Sequence, residues 1–227
     1  MYLKGRRWLF VFVLLFIFSL FPPLVRSEVP LPIEGKGSVV ENSGAFTYSI
    51  PIEVPPGIGG MTPQLSLNYN SQSGNGLLGV GWSLGGLSAI TRCPATLAQD
   101  SFVDGVDFDA NDRLCLDGQR LIAVANTGCS GGTEYRTEID SDARVCAYGS
   151  QGNGPAWFKV WTKSGQIMEY GNTADSRIEA QGKSTALLWA LNKVNDTTGN
   201  YLTVTYTDGG TPATQTFTDT FSIQGQG

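Results

Sequence analysis

Residues 51–87 read PIEVPPGIGGMTPQLSLNYNSQSGNGLLGVGWSLGGL, and this stretch decides the fold class. Leading into it, Phe46, Tyr48, Ile50, Ile52 and Val54 fall on one side of an extended chain, with Thr47 and Ser49 on the other. That period of two is the mark of a half-buried strand. Pro51 donates no ladder hydrogen bond, which points to an edge position or a bend. Pro55-Pro56-Gly57-Ile58-Gly59-Gly60 then makes a turn. From Gln64 to Asn70 the alternation resumes, with Leu65, Leu67 and Tyr69 on one face. The two runs are expected to pair antiparallel.

The glycine-dense tail of the stretch contains Gly74-Asn75-Gly76-Leu77-Leu78-Gly79, literally G-x-G-x-x-G. A dinucleotide site needs a strand directly before that motif and a helix opening at its third glycine. Here polar Ser71-Gln72-Ser73 precedes it, and Gly81, Gly85 and Gly86 follow where the helix belongs. The glycines therefore read as bends and close backbone approaches. Leu77, Leu78, Val80, Trp82 and Leu84 are expected in the core, and no cofactor is expected.

Outward from this stretch, the N-terminus carries Lys4, Arg6 and Arg7, an apolar run from Trp8 to Leu20, and Val25-Arg26-Ser27. This is the pattern of a secretory signal peptide over residues 1–27, cleaved between Ser27 and Glu28. The apolar run falls short of the roughly 18–20 residues that span a bilayer, so cleavage is favoured over a membrane anchor. No cysteine stands near the cleavage site to make a lipoprotein. No second run of spanning length follows, so the mature chain is expected to be secreted, with no membrane span. The periplasm and the cell surface are alternative destinations.

The mature 200 residues suffice for one large all-β domain. The whole chain has a net charge of −5; losing Lys4, Arg6, Arg7 and Arg26 leaves 11 basic against 20 acidic residues, or −9. A chain this acidic repels a phosphate backbone and an anionic membrane surface, so no nucleic-acid partner is expected. The sequence has no histidine. That excludes Ser-His-Asp and Cys-His catalysis, histidine zinc sites and histidine acid/base work. The four cysteines, Cys93, Cys115, Cys129 and Cys146, all lie in the exported part and read as two disulfides. Of three possible pairings, Cys93–Cys115 with Cys129–Cys146 is favoured, because each closes a short loop between strands expected to be neighbours. Each staple is worth on the order of 3 kcal/mol by loop entropy.

In chain order, residues 28–44 hold Pro30, Pro32, Gly35 and Gly37 and read as an extended lead-in rather than a packed element. Ser88 to Arg92 continues as a strand. The acidic stretch from Asp100 to Asp112 spaces Asp107, Asp109 and Asn111 as a calcium loop spaces its first ligands. Its sixth position is Asp112 rather than glycine and its twelfth is Gly118 rather than glutamate, so it is not an EF-hand. A solvated acidic loop is the preferred reading over an irregular calcium site. Hairpins follow: 114–116 and 121–124 around Asp117-Gly118, then 134–139 and 144–148, then 157–162 and 166–170 around Lys163-Ser164-Gly165, then 187–194 and 201–206. No convincing helix appears, and the fold class is all-β with short antiparallel strands. Trp157, Phe158, Trp161, Trp189, Tyr201 and Tyr206 are weighed as a sugar-binding face and read instead as cross-strand packing. Residues 209–227, rich in Thr, Gln and Gly, read as a polar tail and not a closing strand.

The run from about Gly44 to Asp208 resembles the N-terminal region of the Salmonella virulence plasmid B protein family. That region is shared with B components of insecticidal toxin complexes and with Rhs/YD-repeat proteins. The resemblance rests on SIPIEVPPGIGGMTPQLSLNYNS, GNGLLGVGWSLGGLSAITRC, DRLCLDGQRL, GTEYRTEI, GPAWFKVWTKSGQIMEYG and WALNKVNDTTGNYLTVTY. It implies a β-rich protein whose strands wind into a hollow shell around a toxin polypeptide, here a partial shell over residues 45–208. The partners it implies are other toxin-complex or Rhs subunits and the remaining shell segments. Some relatives carry an ADP-ribosyltransferase in a separate C-terminal domain; no catalytic residue of it maps here, so no enzymatic activity is expected. The likeness stops near Asp208, which reads as a truncated, frameshifted or short standalone member. The competing expectations are a standalone secreted β-module that binds glycan or protein, and a carboxylate enzyme. No carboxylate pair is placed by the sequence across a cleft at glycosidase spacing.

Overall fold

The computed structural model describes residues 36–76, 78–125 and 128–207, and the backbone of 218–224. The signal-peptide reading, with Ser27 and Glu28, falls outside these residues, as does Leu77. The first strands are β1 (Lys36–Val40), β2 (Ala45–Ile52), β3 (Leu65–Asn70), a small hairpin of β4 (Asn75–Gly76) and β5 (Gly79–Val80), and β6 (Trp82–Gly85). They form a four-stranded antiparallel sheet in the order β1-β2-β3-β6, with β4 and β5 paired beside it. The alternating runs around the Pro/Gly turn do pair, Tyr48 opposite Tyr69 and Ile50 opposite Leu67. The lead-in, read as unpacked, holds an edge strand: β1 lies along β2 with Val39 opposite Phe46.

Glycine density has a steric cause here. A Cβ at Gly81 (φ +78°) would lie 2.6 Å from the Tyr69 ring, and one at Gly86 (φ +97°) would lie 1.9 Å from the Gln64 carbonyl oxygen. Both hold the returning chain hard against β3 in backbone conformations that side chains oppose. The G-x-G-x-x-G stretch makes the β4–β5 hairpin, with no helix after it. The core expectation for this tail is corrected, because Leu78, Val80 and Leu84 are 51%, 71% and 37% exposed and Trp82 is only half-buried. The cause is position: β6 is the last strand of its sheet, and β5 belongs to a two-residue hairpin outside it.

The remaining strands are β7 (Ala89–Cys93), β8 (Arg113–Leu116), β9 (Gln119–Ala123), β10 (Thr133–Thr137), β11 (Arg144–Tyr148), β12 (Trp157–Trp161), β13 (Ile167–Tyr170), β14 (Arg177–Glu179), β15 (Ala186–Asn195), β16 (Tyr201–Thr207) and β17 (Thr218–Gln224). Strands β7 to β13 follow one another by antiparallel hairpins. Asp117 and Gly118 between β8 and β9 both have positive φ, 49° and 80°, as a type I′ turn requires. Closure is the work of β15. Its first half pairs with β7 through Leu188–Ala190, and its second half pairs with β13 through Leu191–Asn195. The result is a closed, eight-stranded antiparallel barrel. Strand β16 adds to β15, and β17 pairs along β16 from Tyr201 to Thr207. The stretch read as a polar tail thus contributes a strand. Besides strands, the described residues hold one helical turn at Leu97–Asp100 and two 3₁₀ turns, at Ile58–Gly60 and Ala174–Ser176.

A barrel of this size is filled by its own side chains. Inward positions carry Ile90, Leu121, Val145, Phe158, Val160, Tyr170, Trp189 and Leu191, all buried. Phe158 and Trp189 meet edge to face at 5.0 Å, and the Trp189 indole N–H donates to the Pro155 carbonyl at 3.1 Å. The Tyr170 hydroxyl bonds Ser88 Oγ at 2.8 Å, and Ser88 donates to Asp117 at 2.6 Å. Burial pushes the Tyr170 phenol above its ordinary range, the Ser88 contact opposing it in part. Disulfides join Cys93 to Cys115 across β7 and β8, and Cys129 to Cys146, which ties the loop before β10 to β11.

Candidate functional site

The four-stranded sheet has two unlike faces. On one, Ser38 and Thr47 share a 2.9 Å hydrogen bond, and Asn68 Oδ1 accepts from Ser49 at 2.7 Å and Ser66 at 3.2 Å. The other carries Val39, Phe46, Tyr48, Ile50, Leu67, Tyr69, Trp82 and Leu84, matched across the strands by register. Tyr69 packs between Phe46 and Trp82, at 6.4 and 5.3 Å between ring centroids. None of these residues belongs to the barrel's buried cluster. Val39 and Phe46 are 62% and 45% exposed and the others sit half-buried or more open. A continuous apolar face of this kind is a candidate interaction surface. At its root the sheet joins the barrel, where Met61 enters the barrel's core and Leu87 packs against it.

The six aromatic residues weighed as a sugar-binding face do not share one. Phe158 and Trp189 point into the barrel and are fully buried. Trp157 and Trp161 lie on the outer face, but each is engaged. Trp157 stacks on Tyr148 at 4.6 Å, and the Arg144 guanidinium covers Trp161 at 4.3 Å. Lys193 lies over the Tyr201 ring at 5.0 Å, and the Tyr206 hydroxyl donates to the Leu191 carbonyl at 2.8 Å. The split follows strand alternation, which separates Trp157 and Trp161 from Phe158 within β12.

The acidic stretch folds as a loop pinned to the barrel by a buried ion pair absent from the sequence reading. Arg92 Nη1 meets Asp112 Oδ2 at 2.8 Å, with side-chain exposures of 2% and 0%. Arg92 also donates to the carbonyls of Ala186, Asp109 and Asn153. Asp112 accepts the backbone N–H groups of Asp107 and Phe108. Of the calcium-spaced residues, Asp107 and Asp109 converge with Asp104, their carboxylate oxygens within 4.8 Å of one another. Asn111 is not a member; its side-chain amide donates to Asp109 Oδ2 at 3.2 Å. Elsewhere Arg120 and Arg113 grip Asp100 and hold its carboxyl well below the usual carboxylate range. The Asn200 amide and then the Thr198 hydroxyl lower Asp196 to about 2.

These features define a disulfide-stapled β-barrel carrying a four-stranded sheet with one open apolar face. Residues 40–220 match the family described as Salmonella virulence plasmid 65kDa B protein, SpvB, and the chain belongs to that family. No curated protein sequence matches the chain. Its fold is similar to that in the crystal structure of TcdB2-TccC3, with a TM-score of 0.64 and 19% identity over 82% of this chain and 10% of that one. It is similar to a chain of the Photorhabdus luminescens Tc holotoxin pore, with a TM-score of 0.58 and 20% identity over 75% of this chain and 8% of that one. It is also similar to the N-terminal domain of the effector protein SpvB from Salmonella typhimurium strain LT2, with a TM-score of 0.56 and 20% identity over 78% of this chain and 66% of that one. The chain thus spans about a tenth of the length of the TcdB2-TccC3 chain it matches. Among the described residues no helix is long and apolar enough to cross a membrane.

Proposed function

We propose that the chain is a non-enzymatic, shell-forming module of a secreted virulence toxin, working as part of a longer polypeptide. The observation that carries this reading is the open apolar face on β2, β3 and β6. A face of that kind is completed by a further layer of polypeptide. Family membership and the fold of the toxin-complex chains support the same role. The signal peptide over 1–27, cleaved between Ser27 and Glu28, delivers the module outside the cell, where its disulfides persist. Its partners in this reading are neighbouring shell segments and other toxin-complex subunits, with no cofactor, no nucleic acid and no membrane span in the mature chain.

A photo-crosslinking residue at position 46 or 84 of the native secreted product tests the reading, with position 49 on the polar face as control. The expected result is a crosslinked species from 46 and 84 only, in a product far larger than the mature chain, detected with an antibody against residues 45–207. A product the size of the mature chain with no crosslink from either position would overturn the shell role and favour a standalone binding module.

A further inference from the structure

The two disulfides lie on the outer face of the barrel in unlike surroundings. Ile90, Leu114 and Leu121 point into the core, so alternation turns Cys93, Arg113, Cys115 and Arg120 outward. The register sets Arg113 opposite Cys93 and Arg120 opposite Cys115. Directly opposed residues hold their Cβ atoms about 4.5–5.5 Å apart, so two arginine side chains flank this bridge. One carboxylate, Asp100, pairs with both. Arg120 donates through Nη1 to the Pro94 carbonyl and Gln99 and through Nη2 to Asp100, while its Nε is buried and meets no acceptor among the described residues. A buried donor in that state is costly until an acceptor arrives. Cys93 is half-buried beside exposed Pro94, and Cys115 is buried.

Cys129–Cys146 is the opposite case. Val145 and Ala147 fill the core, so Cys146 also faces outward, but its bridge is sealed, with Cys129 and Cys146 2% and 0% exposed. In register, Cys146 lies between Glu134 and Lys159. Glu134 is itself buried, accepts the Gly128 N–H at 2.9 Å and pairs with Arg136. A carboxylate in that position opposes a second negative charge on sulfur.

We propose that Cys93 is a thiol-exchange site: a small thiol opens the Cys93–Cys115 bridge in the folded protein and stays on Cys93 as a mixed disulfide, while Cys129–Cys146 remains closed. The incoming thiolate attacks Sγ of Cys93, the more exposed cysteine of the pair. The new S–S bond forms as the Cys93–Cys115 bond breaks, and the electron pair leaves on Cys115 Sγ as a thiolate. One disulfide is exchanged for another, so no further oxidant or reductant is required. Such exchange is faster the more stable the departing thiolate. Arg113 and Arg120 place two cations beside that charge, and Arg120 Nε gains the acceptor it lacks. The inference stands apart from the shell reading, since either can hold without the other.

The test incubates the intact mature chain with excess reduced glutathione at about pH 8, without denaturant, where part of a free thiol is ionised. Samples taken over time are trapped with N-ethylmaleimide, and their peptides are mapped by mass spectrometry without reduction. The expected result is glutathione on Cys93, maleimide on Cys115 and an intact Cys129–Cys146 bridge, with tryptophan fluorescence still native. The first bridge should open at least about tenfold faster than the second. Arg113→Gln, at a partly exposed position, should slow the opening about threefold or more, and Arg113→Lys, which keeps the cation, should restore most of the rate. Opening only at urea concentrations that unfold the chain would overturn the proposal. So would equal rates at the two bridges, glutathione on Cys115 in place of Cys93, or an Arg113→Gln chain that opens as fast as its parent.

Discussion

Arg92→Ala is the substitution that most directly probes how this barrel is held together. It removes a guanidinium that is 2% exposed and leaves the Asp112 carboxylate, 0% exposed, without its counter-ion. Breaking one side of a buried pair costs about 3–5 kcal/mol, because the remaining charge stays desolvated. The carbonyls of Ala186, Asp109 and Asn153 lose their donor in the same step. The two backbone N–H groups on Asp112 remain and offset only part of this. Against a typical total of about 5–15 kcal/mol, the loss is a large fraction of the stability. Urea denaturation followed by tryptophan fluorescence is the suitable assay, since Arg92 sits 5.8 Å from the buried Trp189 ring. Arg92→Lys keeps the charge but not the fork that reaches several oxygens at once, and should recover only part of the loss. The double variant Arg92→Ala/Asp112→Ala should cost clearly less than the sum of the singles. A cost below about 1 kcal/mol for Arg92→Ala, at an unchanged denaturant slope, would refute the assignment of this pair as the anchor of the acidic loop.

Trp189→Ala should destabilise by about 3–5 kcal/mol in the same assay, because it empties the barrel where Phe158 packs edge to face. Replacing Cys93 and Cys115 together by serine should cost about 3 kcal/mol, read as a lower urea midpoint; an unchanged midpoint would mean the bridge does not constrain the unfolded chain. Asp196 has a folded-state pKa lowered from 3.8 to about 2, so its contribution is present above about pH 4 and is lost as pH falls toward 2. Asp196→Asn should therefore lower stability at neutral pH and flatten its fall between those values; a parallel acid limb in both proteins would exclude this loop as a cause. In the isolated chain, amides of β2 and β3 should exchange with deuterium faster than those of β11 and β12, because an uncovered sheet opens locally while the closed barrel opens globally. Equal protection would mean the sheet face is covered.

What the sequence makes legible follows the range of the interactions. The β2–β3 pair, the Asp117-Gly118 turn and the strands at β11, β12 and β15 are local patterns of alternation and turn chemistry, and they stand close to where the patterns place them. The closure of the barrel is not local. Nothing in LLWALNKV says that one strand leaves β7 for β13 at its midpoint, or that the exchange leaves a bulge at Asn192. Strands β1 and β17 were hidden for another reason: each offers only two apolar residues, Val39 and Val40 or Phe221 and Ile223, among small and polar ones, too short a pattern to mark a strand. The Arg92–Asp112 pair lies across twenty positions of sequence and is visible only once the loop folds back. The aromatic reading had its correction within reach, since period two alone sets Phe158 apart from Trp157 and Trp161.

The apolar face misled the sequence reading in an instructive way. Alternation in β2 and β3 is as clean as in β12, and alternation is ordinarily evidence of a buried side. In the barrel that inference holds: Phe158 and Val160 are 0% and 1% exposed. In the four-stranded sheet the same pattern leaves Phe46 at 45%. Patterning records the burial for which a strand was selected, and does not say which polypeptide supplies the cover. A strand patterned for burial but open in its own chain therefore carries information about an assembly. Here the polar side is already satisfied by its Ser, Thr and Asn network, so the apolar side is the one on which a partner gains most. On the proposed reading, assembly therefore falls to β1, β2, β3 and β6, whose apolar face is open, and scaffolding to the closed and filled barrel.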